Sequence, residues 1–316
     1  ASCTQSTDFP VSPNAFQPNY GGGDIDGCIV KLDNNLENII WSSYLGGDLH
    51  DAIYSPALDP NQDIYVTGGT SSTTFPFSSN VFQTSNQGGR SDGFVTHLSS
   101  GGQQILHSTY FGSSTYDQSY FVETDRNSNV YLLGQTEVQD STFIKNVGWS
   151  VPGSGQFISK LSPNLDSIFY STVFGSGTGI NISPTAFLVD LCNKIYLAGW
   201  GGSVNNLGIL DNNAGNTNNM PITADAFQSS TDGSDFYIMV LEDDASGIVY
   251  GSYFGGSSSS EHVDGGTSRF DRKGKVYQAV CAGCGGISDL PIQPSGAVSS
   301  TNNSNCNLGV FKMEFD

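Results

Sequence analysis

Any chemistry in this chain has to come from its carboxylates and thiols. Histidine is scarce, and His50, His97, His107 and His262 stand far apart without a ligand pattern. Cys281 and Cys284 form a C-x-x-C, and Cys3, Cys28, Cys192 and Cys306 complete an even set of six. A zinc site needs a second pair or histidines at workable spacing, and a redox centre of the thioredoxin kind needs a βαβ context. Neither accompanies this C-x-x-C, so disulfides formed in an oxidising compartment are the expectation. Among the acids, Asp24 and Asp26 follow Gly21-Gly22-Gly23, and Asp232 and Asp235 precede an equivalent strand. Carboxylates with nearby carbonyls can hold Ca2+, the one cofactor these residues suggest. Asp92 recurs at the same place, and a recurring acid also fits a turn that satisfies its own N–H groups.

Other catalytic patterns are weak. Many carboxylates are present, so two could meet as a glycosidase pair, but nothing selects such a pair. Gly153-Ser154-Gly155 is a degraded nucleophile motif without a strand-turn-helix context. The run Gly283 to Gly286 lacks the Lys-Ser/Thr of a phosphate loop. Trp200, followed by Gly201-Gly202 and a long Asn/Gly-rich insertion, is the aromatic best placed to lie exposed and a candidate ligand contact; Trp41 lies in a strand and reads as core.

Composition narrows the function classes. The chain has 316 residues, 39 of them Gly, with 13% charged and a formal net charge of -19. That field repels phosphates and anionic lipid surfaces, so nucleic acid and membrane surfaces are poor partners. No apolar run is long enough for a transmembrane helix, so membrane insertion is not expected. The sequence starts at Ala1, with neither Met nor a signal peptide, as expected of a mature or excised fragment of a secreted precursor.

The elements that must carry these residues repeat. An alternating strand reads GCIVKL from Gly27, GFVTHL from Gly93, QFISKL from Gln156 and FYIMVL from Phe236, with a fifth copy, GVFKMEF, from Gly309. A second segment ends in an aromatic-Gly turn, as in WSSYLGG from Trp41 and YGSYFGG from Tyr250. A third ends at Asp59, Asp125, Asp190 and Asp271, read as turn formers. A fourth follows as DIYVTGGT and its equivalents, placing Tyr65, Tyr131, Tyr196 and Tyr277 at intervals of 66, 65 and 81 residues. Linkers then carry F-P and A-F-Q, as in Phe75-Pro76 and Val81-Phe82-Gln83; the third linker shows Val147-Gly148-Trp149 instead.

Four short Val-, Ile-, Tyr- and Thr-rich strands per repeat predict an all-β fold, a β-propeller of four-stranded blades. Four complete repeats occupy 18–83, 84–150, 151–228 and 229–300, with partial blades at 1–17 and 301–316, in a single domain or fragment covering 1–316. The end pieces either pair to close a ring or belong to a longer chain. Cys3 and Cys281 hold one repeat position, and Cys28 and Cys306 follow near the next first strand. The register suggests Cys3 with Cys28, and Cys281 or Cys284 with Cys306, leaving Cys192 for the remaining thiol. Such a link stabilises by roughly 2–4 kcal/mol.

The pattern at Gly27 to Leu32, Ser42 to Gly47, Asp59 to Gly68 and Phe75 to Gln83 resembles the bacterial SBBP β-propeller repeat, over nearly the whole chain. VCAGCGG from Val280, followed by CNLGVFKMEF, is similar to surface proteins of the Bacteroidetes. Those proteins often carry immunoglobulin-like modules and a sorting domain of the gliding-associated, type IX secretion kind; none is read in these residues. The resemblance implies an extracellular, cell-surface module of a longer polypeptide, serving adhesion, scaffolding or interaction with other surface proteins or glycans, and no shared catalytic motif. A secreted polysaccharide-active enzyme and a structural surface-lattice component are the alternatives.

Overall fold

The structure, a computed structural model, describes residues 1–202, 210, 215–259, 261–263, 269–271, 273–283, 288–293, 297 and 307–315. It is all-β, with no α-helix among the described residues and with five antiparallel sheets. The first sheet holds β1 (Ser2–Thr4), β2 (Asp26–Leu32) and β3 (Ile39–Leu45). The second holds β4 (Asp51–Leu58), β5 (Ile64–Thr70), β6 (Asp92–Leu98) and β7 (Ile105–Phe111), hydrogen-bonded in that order. The third repeats it with β8 (Asp117–Thr124), β9 (Val130–Thr136), β10 (Gln156–Leu161) and β11 (Ile168–Phe174). The fourth holds β12 (Ser183–Val189), β13 (Ile195–Trp200), β14 (Phe236–Leu241) and β15 (Ile248–Phe254). The fifth holds β16 (Arg269–Phe270), β17 (Val276–Cys281) and β18 (Leu308–Met313).

Each four-stranded sheet takes its first two strands from one sequence repeat and its last two from the next, while the first sheet has one and two such strands and the fifth two and one. The linker that carries F-P and A-F-Q therefore lies inside a sheet, between its second and third strands. The chain ends enter different sheets: β1 pairs with β2, and β18 pairs with β17.

Side-chain alternation explains the strands, and burial shows what covers them. β5, β6 and β9 are buried at every position, and so is β14. A strand buried on both faces needs packing partners on both. β18 instead alternates between exposed and buried residues.

By internal contacts the chain forms two compact units, one of Ala1–Asn146, Phe157–Val173 and Asn205–Asp211, the other of Val147–Gln156, Phe174–Val204 and Asn212–Asp316. In the first, Ile29, Trp41 and Leu45 pack on Ile53, Val66 and Phe94, while Val95 and Phe111 share a cluster with Val122, Leu132 and Phe157. In the second, Trp200, Phe236 and Phe254 pack on Val276, Val280 and Phe311.

Two hairpin turns recur. Asp59 Oδ1 accepts the N–H groups of Asn61 at 2.8 Å and Asp63 at 2.9 Å, and Asp271 Oδ1 accepts those of Lys273 and Lys275. Three residues after each such aspartate the backbone is left-handed, at Gln62, Ser128, Asn193 and Gly274. The other turn places Leu36, Gly102, Leu165 and Ala245 there. A left-handed Leu is costly, yet Leu165 is fully buried, so its side chain works in the core. Gly102 has a second reason: a Cβ would stand 2.1 Å from the Trp41 indole.

Candidate functional site

The linker glutamine organises the aromatic-Gly turn. Gln83 Oε1 accepts from Gly112 N–H at 2.8 Å and its Nε2 donates to Gly112 O at 2.8 Å. Gln17 Oε1 and Gln228 Oε1 accept from Gly46 and Gly255, each at 3.0 Å. The turn tyrosine completes the bridge, since Tyr44, Tyr110 and Tyr253 donate their hydroxyls to the linker carbonyls of Ser6, Ser72 and Met220. Where the linker reads Val147-Gly148-Trp149, the tyrosine position is Val173. Both partners of the bridge are missing from one copy.

Beside each turn lie two polar side chains, one from each flanking strand entry. They are Asp26 with Asp51, Asp92 with Asp117, Gln156 with Asn181, and Asp235 with Glu261, and none is more than 4% exposed. Backbone and hydroxyl donors reach one oxygen of each acid. Gly21 N–H donates to Asp26 Oδ2, Gln87 N–H to Asp92 Oδ2 at 2.5 Å, and Gln228 Nε2 to Asp235 Oδ2 at 2.8 Å. Asp51 Oδ2 accepts from Gly47 N–H at 2.7 Å and Ser72 Oγ at 2.8 Å, and Glu261 Oε1 from Gly256 N–H at 2.9 Å, while the single Ser259 hydroxyl, 3.0 Å away, is shared with Asp289. The turn glycine is required because a Cβ at Gly46, Gly112 or Gly255 would stand 2.4, 2.3 or 2.2 Å from the acid's Oδ1.

In the second unit a recess of about 490 Å³ opens over one of these pairs. Gln228, Ser230, Thr231, Asp232, Ser257 and Asp289 line it. Asp289 accepts four hydrogen bonds, from the N–H and hydroxyl of both Ser257 and Ser259, at 2.6 to 3.2 Å. Burial pushes its carboxyl up, but these donors outweigh that and hold it at about 2. Asp289 is thus an anion at neutral pH and cannot serve as a general acid there. The exposed Asp232 takes Ser234 N–H at 2.9 Å and Ser234 Oγ at 2.7 Å on one oxygen.

The structure sorts the sequence candidates. Asp24 is exposed, 4.0 Å from His50 Nδ1, while its neighbour Asp26 is fully buried. Asp232 and Asp235 divide the same way, one on the recess and one beneath it. The donors found at Asp26 and Asp235 are N–H groups and, at Asp235, the Thr231 hydroxyl, which suit a turn acid, whereas calcium needs carbonyl and carboxylate oxygens. Among the described residues no three His, Cys, Asp or Glu gather as metal ligands.

Trp200 is 9% exposed and sits in the second unit's core, so the expectation of an exposed ligand-stacking ring there is corrected. Its position as the last residue of β13, pairing with Ser183 and Phe236, turns the indole into the sheet packing. Cys3 and Cys28 lie on paired strands but out of step: Cys3 opposes Gly27, and Cys28 opposes Ser2. Directly opposed residues share a face and successive ones alternate, so the two thiols point to opposite faces, and both are free. Cys192 is an exposed free thiol, and Cys281 is half-buried, its Sγ reaching Gly283 O at 3.8 Å. Cys284 and Cys306 lie outside the described residues. Sequence reasoning missed Asp51, Asp117, Glu261, Asn181 and the glutamine bridge; the recurring A-F-Q was the available signal.

No protein-family model matches the chain, and no curated protein matches it. Among the described residues no helix is long and apolar enough to cross a membrane.

Proposed function

We propose that the chain is a β-propeller module of the SBBP kind, from a bacterial cell-surface or secreted protein, and that it binds a glycan at the recess beside Gln228 and Asp289. Support for the propeller comes from successive antiparallel sheets of one strand order, with central strands buried on both faces. Within the first unit the leading strands β4 and β8 also pack on each other. The recess carries the binding reading. Its lining of carboxylate, amide and hydroxyl groups can exchange hydrogen bonds with a polyol, and its size falls in the range of small-ligand sites. A protein partner would engage the surrounding loops.

Glycan-array binding followed by calorimetry tests this, comparing the native chain with Asp232→Ala and Asp289→Ala. Saturable binding lost in both variants is the expected result. Binding unchanged by both, or none across the array, overturns it. Release of reducing sugar from a bound glycan would instead place the chain among polysaccharide-active enzymes.

A further inference from the structure

The three acidic pairs present a shared electrostatic problem. Each acid uses one oxygen to accept donors and leaves the other, Asp26 Oδ1, Asp51 Oδ1, Asp92 Oδ1, Asp117 Oδ1, Asp235 Oδ1 or Glu261 Oε2, buried without a hydrogen-bond partner. The ion pairs of the described residues engage Asp24, Asp63, Asp125, Glu242 and Glu314, and none of these six. Two buried carboxylates side by side without a cation cannot both stay ionised at ordinary cost.

The fourth junction shows what fits there. Asn181 Oδ1 accepts from Ser176 N–H at 2.8 Å, as Asp117 accepts from Ser113. Gln156, with its amide oriented by its neighbours, donates to Phe174 O at 3.0 Å and accepts from Asn181 and Ile182 N–H at 2.5 and 3.1 Å. Asn181 Oδ1 and, in this orientation, the Gln156 amide nitrogen lie 2.4 and 2.9 Å from the point a Gly175 Cβ would occupy, where Asp26 Oδ1 and Asp51 Oδ2 stand at Gly46. An amide is the neutral, hydrogen-bonding stand-in for a protonated carboxyl group, and at this junction neither residue carries an unpartnered side-chain atom.

The geometry points to three one-proton locks: each acid pair retains a single proton, donated from one carboxyl O–H to the unpartnered oxygen of the other, and the junction loosens when that proton leaves to water. One proton satisfies two orphaned oxygens, and each pair has two. Burial is the largest influence on all six groups. It holds Asp92 at about 8, Asp235 at about 7, and Asp26 and Asp117 at about 6, with Asp51 and Glu261 also raised. Facing carboxylates add to this: Asp48 beside Asp51, Glu137 beside Asp117, and Asp232 beside Asp235 and Glu261. Tyr20, Tyr110 and Tyr253 also face the pairs, as neutral phenols over this pH range, and Arg90 lies over the Tyr116 ring, 4.0 Å from its centre. Because the folded values lie above the unfolded carboxylate range, the pairs' contribution to stability is full below about pH 4 and is lost as pH rises through 6 to 8.

The test is infrared spectroscopy of the whole chain between pH 4.5 and 9, read with thermal melts over the same range. The expected result is a protonated-carboxyl band that persists at pH 6, disappears by pH 9, and tracks a fall in Tm. Asp92→Asn fixes an N–H where the proton sits; it should remove part of the band and raise Tm at pH 8 by about 2–4 °C. Asp117→Asn, which copies the amide of Asn181, provides an independent variant should the first fail to fold. Absence of the band at pH 6, or a band and slope unchanged in a folded variant, overturns the proposal. So does Ca2+ bleaching the band while raising Tm, which would make these pairs cation sites.

Discussion

Ser113 gives both of its donors to Asp117, the amide N–H and the hydroxyl each reaching Asp117 Oδ2 at 2.6 Å. At the preceding junction the same work takes two residues, Gly47 and Ser72, acting on Asp51. At three of the four junctions the acid is kept while its donors vary, so the packing around the acid sets the sequence of those turns.

Gly112 should therefore be intolerant of a methyl group. Its Cβ would meet Asp92 Oδ1 at 2.3 Å, whereas a Cβ on Gly101 would meet nothing within 4 Å. Gly112→Ala is expected to cost about 1–3 kcal/mol and Gly101→Ala less than about 0.5 kcal/mol. Denaturant melts of the two variants compare them directly; equal stability would show that the turn has room to move.

Gln83 contributes through both ends of its amide. Gln83→Ala removes two hydrogen bonds to Gly112 and leaves that turn's N–H without its acceptor. The loss expected is about 1–3 kcal/mol. Gln83→Glu keeps the acceptor but not the donor, so it should fall between Gln83→Ala and the native chain in the same melts.

Lys160 bridges a turn acid and an aromatic ring. Its Nζ lies 3.3 Å from Asp125 Oδ2 and 4.7 Å from the Tyr131 ring centre. Burial pushes the Asp125 carboxyl up, but Asn129, the N–H of Asn127 and Lys160 together hold it below the usual carboxylate range. Its contribution is present above the unfolded value and lost as pH falls through the folded one. Lys160→Met should cost about 1–3 kcal/mol at pH 7 and clearly less at pH 2.5. A cost that does not change with pH would assign it to the ring contact alone.

The thiols give a direct check on register. Alkylation without reduction should modify exposed Cys192 quickly and buried Cys28 slowly, and a peptide map should show no Cys3–Cys28 link. A Cys3–Cys28 link would mean that β1 pairs one residue away from the register with Gly27 opposite Cys3.

The periodicity of the strands and the turn aspartates was readable because both are local. An alternating run buries one face whatever it packs on, and Asp59 bonds N–H groups two and four residues ahead of itself. The spacing of Tyr65, Tyr131, Tyr196 and Tyr277 likewise reports one supersecondary unit repeated. By itself, then, the sequence determined the all-β class, the repeat and its strands. Only the tertiary structure decided that a sheet spans two repeats, that Trp200 is core, and that Asp92 meets Asp117. Those facts depend on which distant segments share a junction. A carboxylate's chemistry follows from the water removed and the donors supplied there, and neither is written in its own neighbourhood of the chain.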